Sequence, residues 1–63
     1  MCESTVLMKD ESGLSTVMAD AVRITFEGPR CVCTDVIGRS MPLENVRARE
    51  IDLVRHRVIL ERA

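Results

Sequence analysis

The stretch Asp20-Ala21-Val22-Arg23-Ile24-Thr25-Phe26-Glu27-Gly28-Pro29 decides the fold class. Within it Val22, Ile24 and Phe26 alternate with Arg23, Thr25 and Glu27, one apolar and one polar set at a period of two. That period belongs to a half-buried β-strand and not to a helix. Gly28-Pro29 then turns the chain into a second extended run, Arg30 to Ile37, which holds Cys31, Val32 and Cys33.

Upstream, Asp10-Glu11-Ser12-Gly13 is a further turn signal. It separates a first strand, about Cys2 to Lys9, from a short second one, Leu14 to Met18. Downstream, Gly38-Arg39-Ser40 and Pro42 keep the same short spacing. Closely spaced turns with β-branched residues between them predict a meander of short strands. The last third can be drawn two ways. Leu43, Val46, Ile51, Leu53, Val54, Val58 and Leu60 fit a helical face, with Ser40 and Pro42 as its start, or they fit strands. Two features favour strands. Val46 and Ala48 share one parity while Ile51 and Leu53 share the other, the one-residue slip that a β-bulge produces. Val54, Val58 and Ile59 are also β-branched, which weakens a helix.

Sixty-three residues make one small domain, 1–63. A chain of this size buries only about 60% of the surface its unfolded form exposes. Apolar residues reach 46%, yet Phe26 is the only aromatic, so Val, Ile, Leu, Met and Cys must build the core. Association is a common remedy for so marginal a core, and a homodimer is expected. Nine basic against ten acidic residues give no electrostatic pull toward nucleic acid or an anionic membrane surface. No apolar run approaches the roughly 18 residues of a membrane span, and Glu3, Lys9, Asp10 and Glu11 interrupt any secretion-signal pattern. Three cysteines cannot all pair within one chain, which together with the absent signal pattern predicts a reducing cytoplasm.

Met1-Cys2 carries the most chemistry. The Met1 amine, the Cys2 amide nitrogen once deprotonated and the Cys2 thiolate are adjacent donors, and each neighbouring pair closes a five-membered chelate ring. Such a flat N,N,S set suits square-planar Ni(II) or Cu(II), whereas structural zinc is tetrahedral. Thiols and α-amines hold their protons at neutral pH, so a metal must displace them and binding strengthens as pH rises. Taken without further context, Cys2 reads first as a small apolar residue opening an edge strand, and a metal ligand only second.

Several segments together resemble the CooT family, small proteins associated with nickel handling around carbon monoxide dehydrogenase maturation. They are residues 1–6 (MCESTV), 18–24 (MADAVRI), 32–39 (VCTDVIGR) and 49–61 (REIDLVRHRVILE). The most specific pieces are Met1-Cys2 with Val6 behind it, Asp35-Val36-Ile37-Gly38, and Ile51-Asp52-Leu53 followed by His56 and Val58-Ile59-Leu60. The resemblance implies a small SH3-like, mostly antiparallel β-barrel of five to six strands, homodimeric, binding Ni(II) through the cysteine after the initiator methionine, here Cys2. It also implies an accessory, metallochaperone-like role, with carbon monoxide dehydrogenase or its maturation factors as partner. Three positions depart from the family pattern: Ile37 where an aromatic is common, Arg39 where an acidic residue is common, and Asn45 where a glycine is usual. Arg39 would disfavour a cation if its turn lay near the metal.

The remaining chemical residues read as structure. Cys31 and Cys33 share one side of a strand in an apolar run, match no common zinc spacing, and sit too far apart for a disulfide with each other. His56, in Val54-Arg55-His56-Arg57, reads as a turn residue, because histidine tolerates left-handed backbone conformations. Arg47, Arg49, Arg55, Arg57 and Arg62 are interleaved with Glu44, Glu50, Asp52 and Glu61, the pattern of a solvated mixed-charge face. Met8, Met18 and Met41 read as gap-fillers between aliphatic side chains. One histidine and scattered serines supply no nucleophile–base pair, and no glycine-rich phosphate loop occurs, so the expectation is a protein that is not an enzyme. The competing expectation is a metal-independent dimeric interaction module, with RNA binding a weaker third because stacking aromatics are lacking.

Overall fold

A computed structural model describes residues 2–63 and contains six strands in them: β1 (Ser4–Asp10), β2 (Gly13–Glu27), β3 (Arg30–Asp35), β4 (Ser40–Leu43), β5 (Val46–Asp52) and β6 (Arg57–Arg62). They form one sheet in the order β4-β3-β2-β1-β6-β5. The sheet curls on itself: β3 meets β5, and the Val46 amide donates to the Pro29 carbonyl at 2.8 Å across the closing seam. The result is a curled half-barrel, all-β as the alternation predicts. Strands also account for the ambiguous last third.

Three expectations change. The second and third strands are one continuous strand of 15 residues, β2. Its first half pairs with β1 and its second half with β3. Asp20 lies inside it, and the chain bends just beyond without stopping: the register shifts between Ala21 and Arg23, leaving Val22 as the extra residue of a bulge. Bulges sharpen strand twist, so one strand can serve both walls of the curl. Next, the sheet is mostly antiparallel as expected but not a simple meander, because β1 and β6 meet and run parallel, with Val6 opposite Val58 and Met8 opposite Leu60. Finally, β3 ends at Asp35, so Ile37 lies in the turn that follows and is 71% exposed.

The parity slip between Ala48 and Ile51 is a real irregularity. Ala48 pairs with Leu60 and Glu50 with Ile59, so Arg49 is unmatched. Two turns need left-handed backbone at non-glycine residues, Asn45 (φ 56°) and His56 (φ 55°). Histidine and asparagine both tolerate that region, and the φ at Asn45 explains why a glycine would serve there equally. Pro42 sits in β4, an edge strand, where its missing N–H costs no ladder bond and discourages pairing with another chain.

The core gathers Val6, Met8, Met18, Ala21, Cys31, Cys33, Val46, Val58 and Leu60. Val6, Cys33 and Leu60 are fully enclosed. Met8 and Met18 fill gaps as expected, whereas Met41 is 39% exposed on the edge strand and fills none. Aliphatic and sulfur side chains thus replace the aromatics that a larger core would use.

Candidate metal-binding end and its apolar groove

Cys2 is the one exposed cysteine; Cys31 and Cys33 are buried. The difference follows from position. Cys31 and Cys33 lie on the inner face of β3, two residues apart, and both join the core. Burial, with the neighbouring Cys31 adding to it, pushes the Cys33 thiol up to about 11. Burial likewise raises Cys31. Neither offers a thiolate at neutral pH, so they pack as small apolar residues. Cys2 precedes β1 and stands at the mouth of an open groove of about 240 Å³.

That groove is the open side of the curl. Cys2, Ser4 and Val58 line one wall; Val22, Ile24 and Phe26 from the second half of β2 line another; Ile51 of β5 joins them. Val22 is 45%, Phe26 43% and Ile51 56% exposed. Val22, Ile24 and Phe26 are the apolar set of the half-buried strand read from the sequence. Ile24 and Phe26 stand opposite Cys33 and Cys31 on the inner face, but on the open side of the curl only Ile24 is half-buried.

Among the described residues no group of three His, Cys, Asp or Glu side chains is placed to enclose a metal ion. Cys2 is the one exposed thiol among the described residues, and further donors would be backbone nitrogens or the adjacent Glu3 carboxylate. That donor set suits an open planar coordination and not a closed tetrahedral cage. Met1, named above as the companion donor through its amine, lies outside the described residues. Glu3 is exposed beside Cys2.

The other sequence candidates stand elsewhere. Arg39 lines a separate cleft with Asp20, Asp35 and Met41, not the Cys2 groove, so its charge does not face the thiol. Its guanidinium instead donates to Asp35 at 2.7 Å, and the same carboxylate accepts the Arg39 and Ile37 amides at 2.8 and 3.0 Å. Burial alone would raise the Asp35 carboxyl; the bonds from Arg39 and Ile37 outweigh it and hold it below its ordinary value. Sequence reading missed this capping role, although Asp35 three residues before Gly38 is a common turn arrangement. The basic set of the last third is neutralised as expected: Arg47 and Arg49 reach Glu61 at 2.7 and 3.2 Å, and Arg57 lies 3.6 Å from Glu50. His56 donates no ring to the groove. Its carbonyl accepts the Thr5 amide at 2.9 Å and ties the β5–β6 turn to the start of β1. No helix is long and apolar enough to cross a membrane among the described residues.

A family model described as CO dehydrogenase accessory protein CooT matches residues 1–61. Among solved structures, the chain is similar to the crystal structure of a candidate CooT from Carboxydothermus hydrogenoformans. The match has a TM-score of 0.86 and 16% identity, covering 98% of each chain. At that identity the likeness speaks for the fold. No curated protein matches the chain.

Proposed function

We propose a nickel-carrying role on one premise: the chain belongs to the CooT family, described as CO dehydrogenase accessory proteins. In this reading Ni(II) is cargo held by the Cys2 thiolate, with the Met1 amine and the Cys2 amide nitrogen as companion donors. The chain is an accessory protein and not a catalyst, and it works in the cytoplasm, where thiols stay reduced. CO dehydrogenase is a nickel enzyme, which makes nickel the natural cargo and that enzyme, or a factor in its maturation, the natural recipient.

The observation that carries the reading is the contrast among three thiols: only Cys2 is exposed, and among the described residues it belongs to no closed three-donor cluster. A single side-chain donor with backbone nitrogens makes an open site, and an open site can release its ion to a recipient. The apolar groove supports the dimeric half of the reading. Val22, Phe26 and Ile51 leave a contiguous apolar surface beside Cys2, and a second copy covering it would bring two Cys2 thiols near a twofold axis. One ion shared by two protomers follows from that geometry. Closed in this way, the half-barrel would take on the SH3-like shape that the family resemblance implies.

Native mass spectrometry with and without Ni(II), on the parent and on Cys2→Ser, tests the proposal. The expected result is one ion per dimer in the parent and at least a tenfold loss of affinity in the variant. Equal affinity in the two proteins would remove the metal reading and leave a metal-independent interaction module.

A further inference from the structure

The β5–β6 turn presents two apolar side chains with nothing to bury them. Leu53 is 79% and Val54 87% exposed, the highest of the large apolar residues among those described. Apolar residues in a floppy loop would be unremarkable, but this turn is fixed. Asp52 accepts the Val54 amide at 3.1 Å, the Arg55 amide at 3.0 Å and the Arg55 guanidinium at 3.2 Å. His56 holds its left-handed conformation, and its carbonyl binds Thr5. Leu53 and Val54 are therefore held out in one geometry, so burying them costs little further ordering of the backbone.

The charge around them is layered. The Asp52 side chain is only 15% exposed, whereas Arg55 above it is 71% exposed. What meets solvent is an apolar pair beside a guanidinium, with its counter-charge underneath. Such a knob fits an apolar socket with carboxylates on its rim. Leu53 and Val54 lie just beyond the groove around Cys2, whose lining ends at Ile51 and Val58 on either side of this turn. The Thr5–His56 bond ties the knob to β1, the strand that Cys2 leads into. A partner docked on the turn would therefore sit at the end of the molecule where β1 begins.

We infer that the Leu53–Val54 turn is the docking element for the protein that receives the ion, and that this partner offers an apolar socket with an acidic rim. The inference rests on the accessory, cargo-carrying reading above and adds to it the surface that finds the recipient. A protein handing over a metal needs its donor end positioned against the acceptor, and a rigid knob on the neighbouring strand supplies that positioning.

Nickel-free CO dehydrogenase is the probe, immobilised and titrated with the parent, with the double variant Leu53→Ser/Val54→Ser, with Arg55→Glu and with Cys2→Ser. The double variant is expected to lose at least tenfold in affinity for the enzyme. Its nickel binding, sedimentation coefficient and melting temperature should stay at parental values, because both side chains face solvent. Arg55→Glu is expected to lose about three- to tenfold, and added salt should weaken parental binding. Parental affinity in the double variant overturns the inference, as does a parent that fails to bind the enzyme at micromolar concentration. A double variant that becomes monomeric also overturns it, by assigning the knob to the second copy. Failure of the cargo reading shows separately, as nickel affinity unchanged in Cys2→Ser.

Discussion

The two sides of the curl are built from the same kinds of residue and end in opposite states. On the closed side, Val6, Met18, Cys33 and Leu60 interlock with almost no exposed surface. On the open side, Val22, Phe26 and Ile51 keep between four- and six-tenths of theirs. Both sides draw on β2, the first through Met18 and Ala21, the second through Val22 to Phe26. The bulge at Val22 is where one becomes the other. Apolar alternation therefore states that a face wants covering, and leaves open whether this chain or another covers it.

Cutting into the closed side should do the most damage. Leu60→Ala removes a fully buried side chain between β1 and β5, and is expected to cost about 2–5 kcal/mol. Native domains are stable by only about 5–15 kcal/mol, so this variant should be largely unfolded well below the parental midpoint in a urea titration. Far-UV circular dichroism across that titration reads the shift. On the open side, Phe26→Ser should cost about 1 kcal/mol or less in the same titration, because the ring is already 43% exposed. Its effect should fall on self-association, with a shift toward monomer in sedimentation velocity at micromolar concentration. If Phe26→Ser unfolds the protein as Leu60→Ala does, the two sides are not different in kind.

The smallest expected effect lies at the ends of strands and depends on acid. Asp35 is held down against its own burial by Arg39 and Ile37. Asp52 is lowered chiefly by the Arg55 amide, and Glu61 by Arg47 and then Arg49. A lowered carboxyl binds fewer protons in the folded state than in the unfolded one. Its contribution is therefore complete above the unfolded value, about pH 4, and fades as pH drops through the folded value. The melting temperature should be nearly flat above about pH 5 and fall below about pH 4. Asp35→Asn should melt below the parent at pH 7, and the gap should narrow on acidification. A gap that widens in acid would contradict the assigned direction.

Much of the strand content was legible in the chain because it rests on local signals. The period of two in Val22–Glu27, the turn residues around Gly13, Gly28 and Gly38, and the parity slip before Ile51 are all short-range facts. His56 at a turn was legible for the same reason. The parallel pairing of β1 with β6 was not, since nothing near Val6 refers to Val58. Nor was the fusion of two strands into β2, because Asp20 looks like a break and only tertiary pairing on both edges keeps the strand running. The burial of Cys31 and Cys33 agrees with the core packing read from the sequence, and Cys2 is exposed. The openness of the groove beside Cys2 was hidden, because the hydrophobic pattern is the same whether or not the curl closes over a face.

The β1–β6 pairing has a consequence for how the molecule comes into being. Thr5 and Arg57 are neighbours in space and lie near opposite ends of the chain. During synthesis β1 waits on the ribosome with one flank bare until β6 has been made, and Val6 and Met8 can be sealed only then. Contacts so distant in sequence form slowly, and an unsatisfied strand flank invites wrong partners in the meantime. Assembly is thus gated by the last strand, so a truncated product lacking β6 cannot complete its interior.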